Sequence, residues 1–467
     1  MPSSATRDHA PGTSDRPLAA RLAAALAAQS DGDFPSRARA KVRLCLLDFL
    51  ACAFEASTLP WARQAAALAT AGAGPCSIVG SHIRAPAEDA IFANSVAGHG
   101  LVREDMHTGS VSHLGVVVLP PLLALAQQGR VDGRRFTAAT IAGYEVGGRI
   151  GRALVTPEFT RSFRPTGFTG PLAAAAATGR LLRLDEAQMA SALALAANMT
   201  GGLNQWPHTG ADEMFFHPGV AARNGLIAAR LASLGAHGSA GALDGEAGLL
   251  PAYRPDGKAP DVRLFDGAPE IEAVFFKPVP VCNFAQTPCL AALALAKRHK
   301  IDPAEIAEVV VGATHAAKAY PGCDHPGPFA RVLQAKMSIH HAVASALLRG
   351  VVDESSYETL DDPALLALAR KIKVTAIDEF TSAYPAKQGV EVMVKMRDGR
   401  AYSQRLADVA EADPDLIRSR FRAAAGKAVG PAAAKAIEAG IDDLDRSPDV
   451  GAIVGLTTVR SQRTGAA

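Results

Sequence analysis

The 467-residue sequence is as informative in what it lacks as in what it holds. Its six cysteines, Cys45, Cys52, Cys76, Cys282, Cys289 and Cys323, include no C-x-x-C pair. A chain of this length needs no disulfide staples, so they read as reduced thiols of a cytoplasmic protein. Neither sign of charge dominates: 48 Lys and Arg face 46 Asp and Glu, a net charge of +2. No general attraction to nucleic acid or membrane follows, and any preference for anions must be local. The apolar stretches are cut by Gly, Pro or charge, and the opening MPSSATRDHAPGTSD lacks the roughly 7 to 15-residue apolar core of a secretion signal. Residues 1–17 are therefore expected to be a disordered extension of a soluble, unexported chain. No G-x-G-x-x-G follows a strand, and neither G-x-x-x-x-G-K-S/T nor G-x-S-x-G occurs. Nucleotide binding and a serine-hydrolase elbow lose their support.

What is present is apolar material, 48% of residues, enough for a large core and two domains. From about Leu18 to Leu250 apolar residues recur at helical spacing in blocks such as LAARLAAALAAQ and DEAQMASALALAANM. Asp185 stands where an N-cap belongs, ahead of Glu186, and Gly201-Gly202 closes that block. After roughly Pro269 the texture changes to Val-rich runs, AEVVVGATH and VEVMVKMRDGRAYSQRL, the latter alternating about an Asp398-Gly399 turn. Helical pattern returns from about Asp413. The expected architecture is mostly α: a helical domain from both chain ends, 18–270 and 409–467, with a smaller α/β domain at 271–408. A cleft between two such domains is a favoured ligand site.

Five segments gather polar residues in apolar surroundings. In GHGLVREDMHTGSVSHLG, His99, Arg103, Glu104, Asp105, His107 and His113 fall within fifteen positions, in a loop that feeds an apolar helix. They are either solvated loop residues or buried groups that need partners or a ligand. Neither H-e-x-x-H-like nor Cys/His zinc spacing is present, which argues against a metal. In SFRPTGFTGPLAAAAATGRLL, Gly170-Pro171 precedes an Ala run and is expected to open a helix whose free N–H groups attract anions. Arg164 there is a candidate carboxylate clamp or a surface residue. LNQWPHTGADEMFFHPG holds His208, Asp212 and His217 beside Trp206, Phe215 and Phe216, as pocket or as structural hydrogen-bonding groups. Lys277, in FFKPVPVCNF, is a clamp, an acid–base group or a surface lysine with a buried stem. His340-His341 heads an apolar helix, where one histidine can face the cleft.

Six blocks in order, ANSVAGHG with HLGVVVLPPLLALA, GYEVGGRIG, PTGFTGPLAAAAATGRLLRLD, FHPGVAARNGLIAA, FKPVPVCNF and AKMSIHHAVASALLRG, resemble the MmgE/PrpD family, that of 2-methylcitrate dehydratase, cis-aconitate decarboxylase and iminodisuccinate epimerase. The resemblance spans about residues 18 to 455. It implies a helical domain with a lid domain, a homodimer, no metal or organic cofactor, and an active site in the cleft. Members take a proton from beside a carboxylate and then eliminate water, lose carbon dioxide or reprotonate. Residue by residue, Asp105 matches the family's acidic loop, His113 the histidine at its end, Lys277 the lysine at the domain junction, and His217 the histidine of the HPG block.

The chain also departs from the pattern. The first acid position falls on Val102 or Arg103, a commonly catalytic histidine position holds Arg164, a lysine position holds Met214, and a Tyr-like position holds His341. The resulting expectation is a cofactor-independent lyase or isomerase of a small di- or tricarboxylate. Asp105 or His113 acts as base, His107 as acid, Lys277 as catalytic cation, and Arg103, Arg164, His208, His217 and His341 bind substrate. Hydration or dehydration ranks before decarboxylation and epimerisation. A non-catalytic carboxylate-binding homologue is the alternative.

Overall fold

The computed structural model describes residues 16–254, 256, 257 and 260–459. The expected disordered extension lies outside the described residues except for Arg16 and Pro17, and Pro17 already stands at the N-cap of α1 (Leu18–Ala27).

A helical body follows: α2 (Ser36–Ala56), α3 (Ala87–His99), α4 (Gly115–Ala126), α5 (Gly133–Leu154), α6 (Pro165–Leu182), α7 (Glu186–Ala197) and α8 (Glu213–Ser233). Helix α6 is the hub, packed by α5 on one side and α8 on the other, and α8 continues onto α3. Small residues make the close packing possible. A Cβ on Gly225 of α8 would meet the Ala174 Cβ of α6 at 2.4 Å, and one on Gly143 of α5 would meet the Ala177 Cβ at 2.9 Å. The Ala and Gly richness of these helices is therefore a packing requirement. Asp185 caps α7 in a capping box with Gln188, where the sequence placed it.

The start of α6 corrects one expectation. The helix opens at Pro165, not at Gly170-Pro171. Pro171 lies inside it, and a proline there deprives the carbonyl four residues back of its donor. That carbonyl is Gly167 O, and it receives the Gly201 N–H instead, at 3.1 Å. A Cβ on Gly167 would stand 2.0 Å from Gly201 O, so only glycine permits the repair.

Between α8 and the C-terminal helices, a two-stranded ribbon joins β1 (Met106–His107) to β2 (Val274–Phe275), antiparallel. Next comes α9 (Asn283–Arg298), then β3 (Ile306–Ala313), α10 (Ile339–Arg349), β4 (Ile372–Ala376), β5 (Val390–Met396) and β6 (Ala401–Leu406). The sheet order is β4-β3-β5-β6, with β3 parallel to β4 and antiparallel to β5. Strands β5 and β6 form the hairpin about Asp398-Gly399. Helix α9 packs on β5, β6 and α10. The chain then re-enters the helical body: α11 (Pro414–Val429) packs along α2, with α12 (Pro431–Asp442) beside it. The fold is thus mostly α with a small α/β region.

Helix α2 carries one buried anomaly. Asp48 is 1% exposed and its Oδ2 has no hydrogen-bond partner. Burial, then the nearby Asp105, push its carboxyl up to about 7, against the pull of Arg103. A carboxyl raised in the folded state costs stability as pH rises from its unfolded value near 4 toward 7, and that cost stays constant above. Asp48→Asn is therefore expected to stabilise at pH 8 by about 2–4 kcal/mol, and by much less near pH 4. Thermal melts at both pH values check this; equal shifts would remove the explanation.

Candidate active site

Two concavities compete for the chemistry. The larger, an open groove of about 880 Å3, is lined by Arg37, Lys41, Arg149, Arg152, Glu270 and Glu272 among others. Its charges are largely satisfied already: Glu270 binds Arg149, Arg152 and His107, Glu272 binds Arg37, and Lys41 binds Glu411. The smaller is a narrow cavity of about 40 Å3 between residues 102–113 and the α6 start on one side and residues 277–284 and 320 on the other. Here charges are buried without acid partners, which is costly unless a ligand supplies them.

The centre of the charge network is Glu104, 1% exposed. Its Oε1 accepts from His99 Nδ1 at 2.5 Å and lies 2.8 Å from His113 Nδ1, whose hydrogen bond goes to Asp105 O at 3.2 Å. Burial works against the charge, but the two imidazoles hold the carboxyl well below its ordinary value. With its Nδ1 proton directed at Asp105 O and the Glu104 carboxylate beside it, His113 keeps the Nε2 lone pair for the cavity it lines. Burial first, then Lys277, push His113 down to about 3, so it stands neutral in the unliganded protein. His99 turns its own Nε2 toward Arg164, which donates from Nη2 at 3.0 Å. Arg164 is 7% exposed, stacks over Trp206 with its guanidinium carbon 5.0 Å from the ring centroid, and leaves Nε unpartnered.

Lys277 enters from the other wall. It is fully buried, and its Nζ donates to Val102 O at 2.9 Å. Lys336 does the same one residue earlier, to Leu101 O at 3.0 Å, but it also pairs with Glu354 at 2.6 Å. Val102 has φ 58°, an uncommon conformation for a β-branched residue, and the two lysines hold the carbonyls on either side of that turn. Among the described residues no carboxylate pairs with Lys277 or Arg164. Burial lowers the Lys277 ammonium, with Glu104 opposing.

The other expected site residues lie elsewhere. Asp105 is buried beneath the loop: Tyr144 Oη donates to its Oδ2 at 2.7 Å and Gly115 N to its Oδ1 at 3.2 Å. A Cβ on Gly115 would meet Oδ1 at 2.5 Å, so this carboxylate is walled in by α4. Burial pushes it up to about 6, against the Tyr144 bond, yet it does not line the cavity. His107, the expected acid, is spent on Glu270 at 2.6 Å and Ser110 at 2.8 Å. Arg103 pairs with Glu55 at 2.6 Å. His341 is buried against Tyr357 and Phe329, outside the cavity. His217 is half-buried beside Arg164, which with burial brings it to about 4, but it is not part of the lining. His208 is exposed on a single helical turn, Trp206–Thr209. His208→Ala is accordingly expected to leave kcat and KM within about twofold, as for a surface substitution.

Sequence reasoning left out Glu104 and His99, which stood in the same polar cluster, and Cys282 and Tyr320, which line the cavity. Glu104 was one acid of an adjacent pair, and strand or loop periodicity does not say which of the two turns inward. His99, Glu104 and His113 also offer one donor atom each within 4.8 Å of one another, a set able to hold a metal ion. Two buried cations, Arg164 and Lys277, flank them, which disfavours a dication. Dialysis against EDTA, with zinc added back, is expected to leave activity unchanged.

Family models match at both ends: the MmgE/PrpD N-terminal domain over residues 20–260 and the C-terminal domain over 279–446. The chain belongs to the MmgE/PrpD family. Cis-aconitate decarboxylase of Aspergillus terreus (strain NIH 2624 / FGSC A1156) is 26% identical over 447 residues, covering 90% of this chain and 91% of that one. A cis-aconitate decarboxylase-like protein, oryM, of Aspergillus oryzae is 27% identical over 458 residues, covering 91% and 94%. Cis-aconitate decarboxylase of Homo sapiens is 33% identical over 176 residues, 37% and 36% of the two chains. Among MmgE/PrpD proteins this one is divergent, and its kinship supports a lyase acting on a small carboxylate. Among the described residues no helix is long and apolar enough to cross a membrane.

Proposed function

We propose that this protein moves a proton beside a carboxylate of a small di- or tricarboxylate, using side chains alone, and that decarboxylation of a cis-aconitate-like acid is its outcome. The observation that carries the reading is the pair of buried cations, Arg164 and Lys277, without acid partners beside the Glu104–His113 pair. In this reading substrate carboxylates take the place of the missing partners. His113 Nε2 exchanges the proton, and Glu104 fixes the imidazole and balances the imidazolium, as a carboxylate does in a triad. Charge that builds on the substrate as the bond breaks is held by Lys277 and Arg164, in a site from which water is largely excluded.

Decarboxylation is put first because the matched relatives carry that activity in their names; water removal, ranked first on sequence, uses the same base and clamps and is the second reading. A cavity of about 40 Å3 holds only a few water molecules, far below the roughly 300 Å3 of ordinary ligand sites. A homodimer, implied by the family resemblance, belongs to the same proposal and is checked by light scattering.

The test is incubation in heavy water with cis-aconitate, citrate, malate and aspartate, followed by NMR and carbon dioxide trapping. Carbon dioxide release supports decarboxylation. Deuterium beside a carboxylate, with the carbon count intact, supports dehydration or epimerisation. Binding without either result would make the chain a carboxylate-binding protein and overturn the enzymatic reading.

A further inference from the structure

Cavity residues from the 277–284 wall include one whose chemistry the reaction above has not used. Cys282 lines the cavity, 7% exposed, at the N-cap of the 16-residue helix α9. The unpaired N–H groups and positive end of a helix dipole favour an anion there, and a thiolate is the anion a cysteine provides. A second thiol, Cys323, lies with its Sγ 3.9 Å from the Cys282 Sγ and is wholly buried. Lys277, Arg164 and Tyr320 share the same cavity, and Asn283, the next residue, has an unpartnered buried Oδ1.

We propose that Cys282 is the second proton-transfer group of this site, donating to the substrate from the wall across from the His113 segment. The inference rests on the carboxylate-lyase reading and names its missing acid, the role that His107 cannot fill while bound to Glu270. In decarboxylation the C–C bond to the departing carboxylate breaks and its electron pair stays on the carbon skeleton. A C–H bond then forms as the Cys282 S–H bond breaks, leaving a thiolate that a proton from solvent restores. In dehydration His113 takes the proton from carbon while the Cys282 proton joins the departing hydroxide, so that one water leaves. Either way, the thiolate is held by surroundings that tolerate it. The contact with Cys323 lowers the thiol's pKa, burial opposes, and Lys277 and Arg164 lower it further. The titratable and charged groups that face it are Cys323, Lys277, Arg164, Tyr320 and Tyr384.

The experiment is kcat against pH for the wild type, Cys282→Ser, Cys282→Ala and Cys323→Ala, with thermal melts of each. Serine is a good N-cap, so Cys282→Ser separates folding from chemistry. The expected wild-type profile falls on the alkaline side, beginning below the ordinary thiol range. Both Cys282 variants are expected to lose about 10²–10⁴-fold in kcat with little change in KM, and to lose that limb. Cys323→Ala, which removes only the neighbouring donor, is expected to move the limb to higher pH. If the wild type turns over and a folded Cys282→Ser keeps kcat within about threefold with the limb in place, this inference is overturned and the lyase reading stands. If the wild type neither turns over nor exchanges deuterium, the lyase reading fails and takes this one with it.

Discussion

Glu104→Gln is expected to lower kcat by about 10³–10⁴-fold while the protein melts within a few degrees of the wild type. The carboxylate oxygen that accepts from His99 Nδ1 and lies 2.8 Å from His113 Nδ1 becomes part of an amide. An amide oxygen still accepts from the imidazoles, but it carries no charge to balance the imidazolium that forms when His113 takes a proton. Its NH2 also favours the other tautomer of a facing imidazole, which places the lone pair on Nδ1 and removes it from the cavity. Because His99 relays the same carboxylate to Arg164, the substitution also loosens a cation in the same cavity. Single-turnover rates and the histidine tautomers read by nitrogen NMR check this. A Glu104→Gln protein with wild-type kcat would mean that His113 is not the base.

The second large effect is a trade between activity and stability at Lys277. A fully buried ammonium whose only hydrogen-bond partner among the described residues is a carbonyl loses solvation that the nearby Glu104 offsets only in part. Lys277→Met keeps the stem's packing and removes the charge. It is expected to cut kcat/KM by about 10²–10³-fold, the cost of losing one preorganised charge stabiliser. The same substitution is expected to stabilise the unliganded protein by about 1–3 kcal/mol, because an uncompensated buried charge is gone. Steady-state kinetics and thermal melts of one preparation test both halves. Lost activity together with lost stability would show Lys277 to be structural. Lys336 is the built-in comparison, since its equally buried ammonium is paired with Glu354 and removing it is expected to destabilise.

Much of the scaffold was legible in the residues. The Ala- and Gly-rich periodic blocks became the α5, α6, α8 packing, Asp185 became a capping box, and the Asp398-Gly399 turn became the β5–β6 hairpin. These are local signals, read from spacing and from residues with one strong preference. Pro171 was misleading for a local reason: proline usually opens a helix, and here Gly201, thirty residues from Pro171, supplies the hydrogen bond that lets it sit inside one.

The site was legible as a neighbourhood and not as an arrangement. The cluster from His99 to His113, Arg164 and Lys277 could be named from residue type and from family resemblance, because buried charges and histidines in apolar surroundings have few uses. Which of them meet was decided by how the 99–113 loop folds on itself and by contacts from other segments. Asp105 and Glu104 are adjacent in sequence, yet Tyr144 and the α4 start capture the first, while the second sits between His99 and His113, the histidine that lines the cavity. His107 was claimed by Glu270, 163 residues away, and His208 was left on the surface. Chemical capacity is a property of residue type, so the sequence alone determined that this chain carries cations, acids and histidines in apolar surroundings. A hydrogen bond needs two groups within about 3 Å, and only the tertiary structure decided which groups those are.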